Sequence, residues 1–380
     1  MPIYLDNAAT SFPKPETVYQ AVDHAMREVG VSPGRGGYSR SLDASRLLFQ
    51  ARESIAGLFA VPDSSRIIFT HNATEALNMA IRGTLNRGDH VITTSMEHNS
   101  LLRPLYLLRQ QGVDFTIVEA DANGIVNPSD IRRSLKPETR MIAVGHVSNV
   151  SGTIQPIDAF GEIAREAGVM FLVDAAQSAG NIPIDVVRTG IDMLAVPGHK
   201  GLLGPQGTGF LYAASTVKLR PLLVGGTGGH STLEDQPDSF PDGFEAGTHN
   251  LPGIAGLKTG VEFVQQHGVS VIGEKERNLV KIIADRFSSI ESIKVYGRAV
   301  PEFCGGLLSF TSNSLDPSSL AFMLDQQYEI AIRAGLHCSP TAHRTLGSFP
   351  AGTVRVSPGY FSTSAEVAIF CDAVIECISQ

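Results

Sequence analysis

The chain has 380 residues, enough for two packed domains rather than one small one. Hydrophobic residues make up 43% and charged ones 18%, the balance of a globular protein with a large core. A net charge of −8 argues against nucleic acid or an anionic membrane as a main partner. Apolar runs such as VMFLV are strand-length, far short of the roughly 20 residues that cross a bilayer. The N-terminal MPIYLDNAATSFPKP lacks the basic and apolar segments of a secretory signal. Cys304, Cys338, Cys371 and Cys377 form no C-x-x-C pair, so a reducing cytoplasm is the expected compartment.

In chain order, β-branched apolar runs predict strands at 66–70, 90–96, 114–120, 140–148 and 169–176. Helix-period stretches separate most of them, at 74–85, 101–112 and 157–168, with Gly112 and Gly168 closing two of these. Continuously apolar strands are buried on both faces, which predicts a mainly parallel sheet covered by helices. Two more strands follow at 192–199 and 208–213. Residues 222–253, rich in Gly, Pro and Asp, read as a long functional loop. Helices at 254–267 and 272–289 lead into a C-terminal α+β segment with strands near 293–297, 305–311 and 353–357. Cys371 and Cys377 fall in the apolar pattern AIFCDAVIECI of a last helix and read as small buried hydrophobes, as does Cys304 before its strand.

Ligands of open parallel sheets bind beyond the carboxyl ends of the strands. Those ends carry a polar series here: HNATEALN with Thr74, EHNS with His98, then Asn149, then DAAQ with Asp174 and Gln177, then His199 and Lys200. Singly, each has a plain reading: Thr74 as a helix cap, His98 as a loop histidine, Asp174 as a cap, Lys200 as a surface lysine. Together they suit a ligand with a phosphate, an aromatic ring, a basic ring nitrogen and a carbonyl that captures lysine. Pyridoxal phosphate has all four: its aldehyde forms a Schiff base with a lysine while an aspartate pairs with the ring nitrogen. A histidine over the ring face could stack and move protons. GPQGTG at 204–209 is not G-x-G-x-x-G, and no G-x-x-x-x-G-K-[ST] is present, so a nicotinamide or P-loop site is a poor rival.

YLDNAAT, NATEALN, EHNS, DAAQ, GHKGLLGPQGTGFLY, FEAGTHN, RAGLHC and VRVSPGYFST resemble the class V aminotransferase family, and within it the cysteine desulfurases. RAGLHC is more similar to the SufS-type group than to the NifS/IscS-type group. The resemblance implies an α/β fold of PLP-dependent transferase fold type I. It pairs a large domain (14–252), built on a mixed, mainly parallel seven-stranded sheet, with a smaller α+β domain (1–13 and 253–380). It also implies a homodimer and a role in sulfur metabolism and iron–sulfur cluster assembly.

Carried over residue by residue, Lys200 captures the cofactor aldehyde, Asp174 pairs with the pyridine nitrogen and Gln177 with the ring hydroxyl. His98 stacks on the ring. Ala73, Thr74 and His199 hold the phosphate, with Thr248 reaching across from the other subunit. Asn149 and Arg355 bind the substrate carboxylate, for which a forked guanidinium is suited. Cys338 attacks the sulfur of L-cysteine and becomes a persulfide, which a sulfur-acceptor protein then takes; His337 beside it is a candidate to lower its pKa. Three positions depart from the family pattern: Pro197 replaces a serine, Leu336 a histidine and Asn99 another histidine. Selenocysteine lyase, or another lyase or aminotransferase of the family, is the alternative within this fold. A metal or redox centre on His337, Cys338 and His343 is the alternative outside it, but the sequence offers no compact second pair of zinc ligands. No bound metal is expected.

Overall fold

In the computed structural model, which describes residues 2–34, 36–229, 232–297 and 304–379, the chain opens with a short strand, β1 (Ile3–Tyr4). Two helices follow that the hydrophobic pattern did not predict, α1 (Glu16–His24), prolonged by a π turn at Ala25–Val29, and α2 (Ser39–Phe59). The face of α2 that packs inward carries Ala44, Leu48, Ala51, Ile55, Ala56 and Phe59, a true helical stripe weakened by three alanines.

Next come β2 (Ile67–Thr70), α3 (Ala73–Thr84), β3 (His90–Thr94), α4 (Asn99–Arg109), β4 (Asp114–Val118), α5 (Pro128–Arg133) and β5 (Thr139–Gly145). They are followed by α6 (Ile157–Ala167), β6 (Met170–Asp174), α7 (Val186–Thr189), β7 (Met193–Pro197) and β8 (Gly209–Ala213). All seven strands predicted between 66 and 213 are present. They form one sheet in the order β2-β8-β7-β6-β5-β3-β4, parallel throughout except for β8, which runs antiparallel to both neighbours.

Both faces are covered, as continuous apolarity requires. On one face Ile142, Val144, Phe171 and Val173 meet α2, α6 and α8 (Leu251–His267). On the other, Met141, Ala143 and Leu172 meet α3 and α4. The alternation is the two-residue period of a strand. Because β2, β3, β5, β6 and β7 run the same way, their carboxyl ends share one rim.

The expected loop at 222–253 is irregular apart from a short turn at Asp242–Phe244 and the start of α8, with residues 230 and 231 outside the described residues. After α8 come α9 (Val269–Ser288), β9 (Ile293–Tyr296), β10 (Leu308–Ser312), α10 (Pro317–Tyr328), β11 (Ile330–Ala331) and β12 (Arg333–Gly335). The chain ends with α11 (Pro340–Leu346), β13 (Thr353–Val356) and α12 (Ser364–Ser379). An antiparallel sheet β12-β13-β10-β9 packs on α9 and α12 around Phe287, Phe310 and Phe370, each fully buried and worth roughly 1.5–3 kcal/mol.

Ile3 and Leu5 belong to that second core, and β1 pairs in parallel with β11, so the N-terminus joins the C-terminal layer. Cys304, Cys371 and Cys377 are buried in the same core, whereas Cys338 is exposed. Among the described residues, no helix is long and apolar enough to cross a membrane.

Candidate active site

The shared rim encloses a cavity of about 110 Å³. Of the residues singled out in the sequence, Ala73, Thr74, His98, Asn149, Asp174, Gln177, His199 and Lys200 line it. Lys200 follows β7 on a turn whose backbone crosses that of residues 179–180. A Cβ at Gly180, where φ is +95°, would lie 2.1 Å from the Gly201 carbonyl oxygen, and one at Gly201 would lie 2.3 Å from that of Ala179. Only two glycines permit this approach, and it fixes where Lys200 leaves the main chain. Burial pushes the Lys200 amine down to about 8, and the positive charge of Arg355 adds to this.

Asp174 ends β6. Its Oδ1 accepts from the Ala176 N–H at 2.9 Å, and its other oxygen has no protein partner among the described residues. Burial raises its pKa, while that hydrogen bond and Lys200 oppose the rise. His98 caps α4, and its Nδ1 accepts from the Ser100 N–H at 3.0 Å, which assigns its proton to Nε2. Burial, with Lys200 and Arg355, pushes His98 down to about 4, so the ring is neutral.

At the other end of the cavity the first amides of α3, those of Ala73 and Thr74, lack intrahelical acceptors, the arrangement that favours an anion at a helix start. The Thr74 hydroxyl pairs with that of Ser100 at 2.8 Å, and Ser100 with His98 Nδ1 at 2.8 Å. His199 Nδ1 is buried without a partner among the described residues. Lys14 donates to the His199 carbonyl oxygen at 3.4 Å and to Ser11 Oγ at 2.9 Å, bringing a cation the sequence reading missed. Pro197 contributes no hydroxyl to this wall. Gln177 donates from Nε2 to the Ala8 carbonyl oxygen at 3.0 Å, leaving one N–H of its amide for a ligand.

Arg355, on β13 and 3% exposed, donates to the Asn149 carbonyl oxygen at 3.0 Å and to Asp6 Oδ1 at 3.1 Å. Its Nε is buried without a partner among the described residues, but Arg355 does not itself line the cavity. Asp6 also pairs with Arg333 at 3.0 Å, so the N-terminal YLDNAAT segment supplies the counter-charge for both arginines. Asp6→Ala leaves the Arg355 guanidinium buried and unpaired. It is expected to cost about 3–5 kcal/mol in urea unfolding, and Asp6→Asn less, because an acceptor remains.

Cys338 is bound to the rim through its loop. Asn149 donates from Nδ2 to the His337 carbonyl oxygen at 2.6 Å and accepts from the Ser339 hydroxyl at 2.8 Å. The Asn99 N–H, next to His98, donates to the Cys338 carbonyl oxygen at 2.8 Å. His337 and Cys338 both take left-handed backbone angles, φ +47° and +58°, which for non-glycine residues costs roughly 1–2 kcal/mol each and persists only where neighbours enforce it. Asn149, expected to hold a carboxylate, therefore uses much of its amide to hold this loop.

The expectation that His337 acidifies Cys338 is corrected. Its ring lies 3.1 Å from the Thr353 hydroxyl, and burial, with Arg355, pushes it down to about 2, so it carries no charge. His343 is buried too, with Nδ1 2.7 Å from Ser348 Oγ. Among the described residues there is no group of His, Cys, Asp and Glu able to hold a metal.

Thr248 does not line the cavity. It lies in a separate recess near Phe69 and Leu223, on a loop held where Glu245 pairs with Arg52 at 2.5 Å and with His249 at 2.7 Å. Sequence reasoning also missed Glu97, Ser100, Asp6 and Arg333. Each sits inside or beside a quoted motif, but nothing local marks it as facing the site.

The chain that places a lysine at a strand end, an aspartate one strand away and a helix start on one rim matches, over residues 3–370, the family model described as "Aminotransferase class-V". The chain belongs to that family, whose members depend on pyridoxal phosphate. It is 39% identical to a probable cysteine desulfurase of Methanothermobacter thermautotrophicus, over 98% of this chain and 94% of the relative. It superposes on the apo cysteine desulfurase of Thermococcus onnurineus NA1 with a TM-score of 0.92 at 33% identity, covering 100% of this chain and 95% of that one. The Escherichia coli cysteine desulfurase CsdA gives 0.88 at 29% identity, with the same coverage.

Proposed function

We propose that this chain is a pyridoxal phosphate-dependent cysteine desulfurase that converts L-cysteine to L-alanine and retains the sulfur on Cys338 as a persulfide. The observation that carries the reading is the tether of the Cys338 loop to the rim, through Asn149 to His337 and through Asn99, beside His98, to Cys338 itself. A family member that only exchanged amino groups has no need of an exposed thiol held there. The names of its relatives favour this reading over selenocysteine lyase.

The residues present fit the cofactor, since the unpartnered Nδ1 of His199, the first amides of α3 and the unpaired oxygen of Asp174 suit a phosphate and a protonated ring nitrogen. Bound there, pyridoxal phosphate would supply an electron-accepting ring conjugated to the substrate α-carbon. Lys200 would hold the cofactor aldehyde through Nζ, and the same amine would take a proton from the substrate and return one. Asp174 would hold the ring-nitrogen proton, His98 would lie against the ring with its Nε2–H available, and Gln177 would offer its remaining amide N–H to the ring hydroxyl. Ala73, Thr74 and His199 would bind the phosphate, joined by Thr248 of the other subunit in a homodimer. Arg355, through its free Nε, and Asn149 bind the substrate carboxylate.

The Cys338 thiolate attacks the substrate sulfur. The S–S bond forms as the Cβ–S bond breaks, its electron pair passes to carbon, and protonation yields alanine. A sulfur-acceptor protein in a reducing cytoplasm then removes the outer sulfur. We divide the chain into a cofactor domain, 14–252, and a smaller domain made of 1–13 and 253–380.

Incubation of the cofactor-loaded protein with L-cysteine is expected to yield alanine and add one sulfur to the Cys338 peptide by mass spectrometry. Alanine formed from L-selenocysteine but not from L-cysteine would overturn the assignment.

A further inference from the structure

Glu97 is the strongest group on the rim without a role in the chemistry above. It is 2% exposed, lines the cavity between β3 and α4, and has no Lys, Arg or His within ion-pair distance among the described residues. The Thr94 hydroxyl lies 2.5 Å from Oε1, and the Gly145 N–H donates to Oε2 at 2.7 Å. Gly145 is the register partner of Asp174 across β5 and β6, so the Glu97 carboxyl hangs from the strand next to the one that carries the site's other buried acid. A Cβ at Gly145 would meet Oε2 at 3.1 Å, a tight contact that a shift of a few tenths of an ångström in the carboxyl would relieve.

A buried carboxylate with two neutral donors and no cation is costly, and more so beside a second carboxylate. We propose that Glu97 is a positioning residue that works as a neutral carboxylic acid. It ties the end of β3, just before His98, to the end of β5, and it leaves Asp174 as the one negative charge for the ring nitrogen. Burial pushes Glu97 up to about 8; the Thr94 and Gly145 hydrogen bonds pull against this and the charge of Asp174 adds to it. These three groups, one each from β3, β5 and β6, are what faces the carboxyl. Glutamine reproduces the shape and both hydrogen bonds of the acid form, whereas alanine removes them.

The inference rests on the cofactor reading. Its test is the affinity of the apo-protein for pyridoxal phosphate at pH 7, together with the pH titration of the visible band of the loaded protein, in wild type, Glu97→Gln and Glu97→Ala. Glu97→Gln is expected to leave both the dissociation constant and the band midpoint unchanged, and Glu97→Ala to weaken binding by about tenfold. A midpoint moved by about one pH unit in Glu97→Gln would mean that a full charge had been removed, and would overturn the proposal. Wild-type affinity in Glu97→Ala would do the same. Should Glu97→Ala not fold, the Glu97→Gln titration decides alone. A wild-type apo-protein that fails to bind pyridoxal phosphate removes the cofactor reading and this inference together, whereas normal wild-type binding with a shifted Glu97→Gln removes only this one.

Discussion

Cys338→Ser is expected to lower sulfide release from L-cysteine by at least about a thousandfold while the protein still binds pyridoxal phosphate with its wild-type visible spectrum. A serine hydroxyl stays protonated at neutral pH and is a poor nucleophile toward sulfur, so the substrate's Cβ–S bond finds no acceptor. The fold should not suffer. Cys338 is exposed, and the loop is held by main-chain and Asn149 contacts that the substitution leaves in place, so a stability change within about 0.5 kcal/mol is expected. Intact-mass analysis after incubation with L-cysteine should find no added sulfur at residue 338. Turnover retained in this variant would show that another group takes the sulfur.

Lys200→Ala is expected to abolish the visible band of the lysine-bound cofactor and to reduce alanine formation by at least about a thousandfold. The neutral amine is the form that attacks an aldehyde, and burial holds Lys200 down at about 8 from the 10.5 of a free lysine. Capture of pyridoxal phosphate by the wild-type apo-protein should therefore accelerate as pH rises through about 8, well below the range of an ordinary lysine; stopped-flow absorbance across pH 6.5–9.5 reads this directly. The linkage has a definite sign. Between about 8 and 10.5 the unfolded chain binds the Lys200 proton more fully than the folded one, so this group makes the apo-protein more stable as pH rises through that window. A capture rate flat across pH 8, or a midpoint near 10, would refute the assignment of Lys200 as the buried amine.

The central strands were legible because each is an apolar, β-branched run buried on both faces, a property that survives without its neighbours. Helices α3, α4 and α6 were legible for the same local reason. Helix α2 was not: three of the core positions on its buried face are alanines, which add little to an apolar stripe. Asp174, His199 and Lys200 could be found because a parallel sheet places its ligand site at known ends of known strands. Asp6, Glu97 and Ser100 had no such marker, since their importance comes from what lies across the cavity rather than from the residues beside them.

Residue chemistry and periodicity are local, and they were enough to define a parallel α/β sheet with a lysine, an acid and an anion-binding helix start on one rim. Tertiary structure alone decided how distant segments meet. Asn149 reaches the loop 188 residues further on, and Arg355 finds its counter-charge 349 residues back at Asp6. It also turned the His337 ring away toward Thr353 while presenting Cys338 to solvent. The physical reason is that burial, charge pairing and backbone strain depend on atoms that closing the chain brings together, and sequence adjacency does not predict which way neighbouring side chains face.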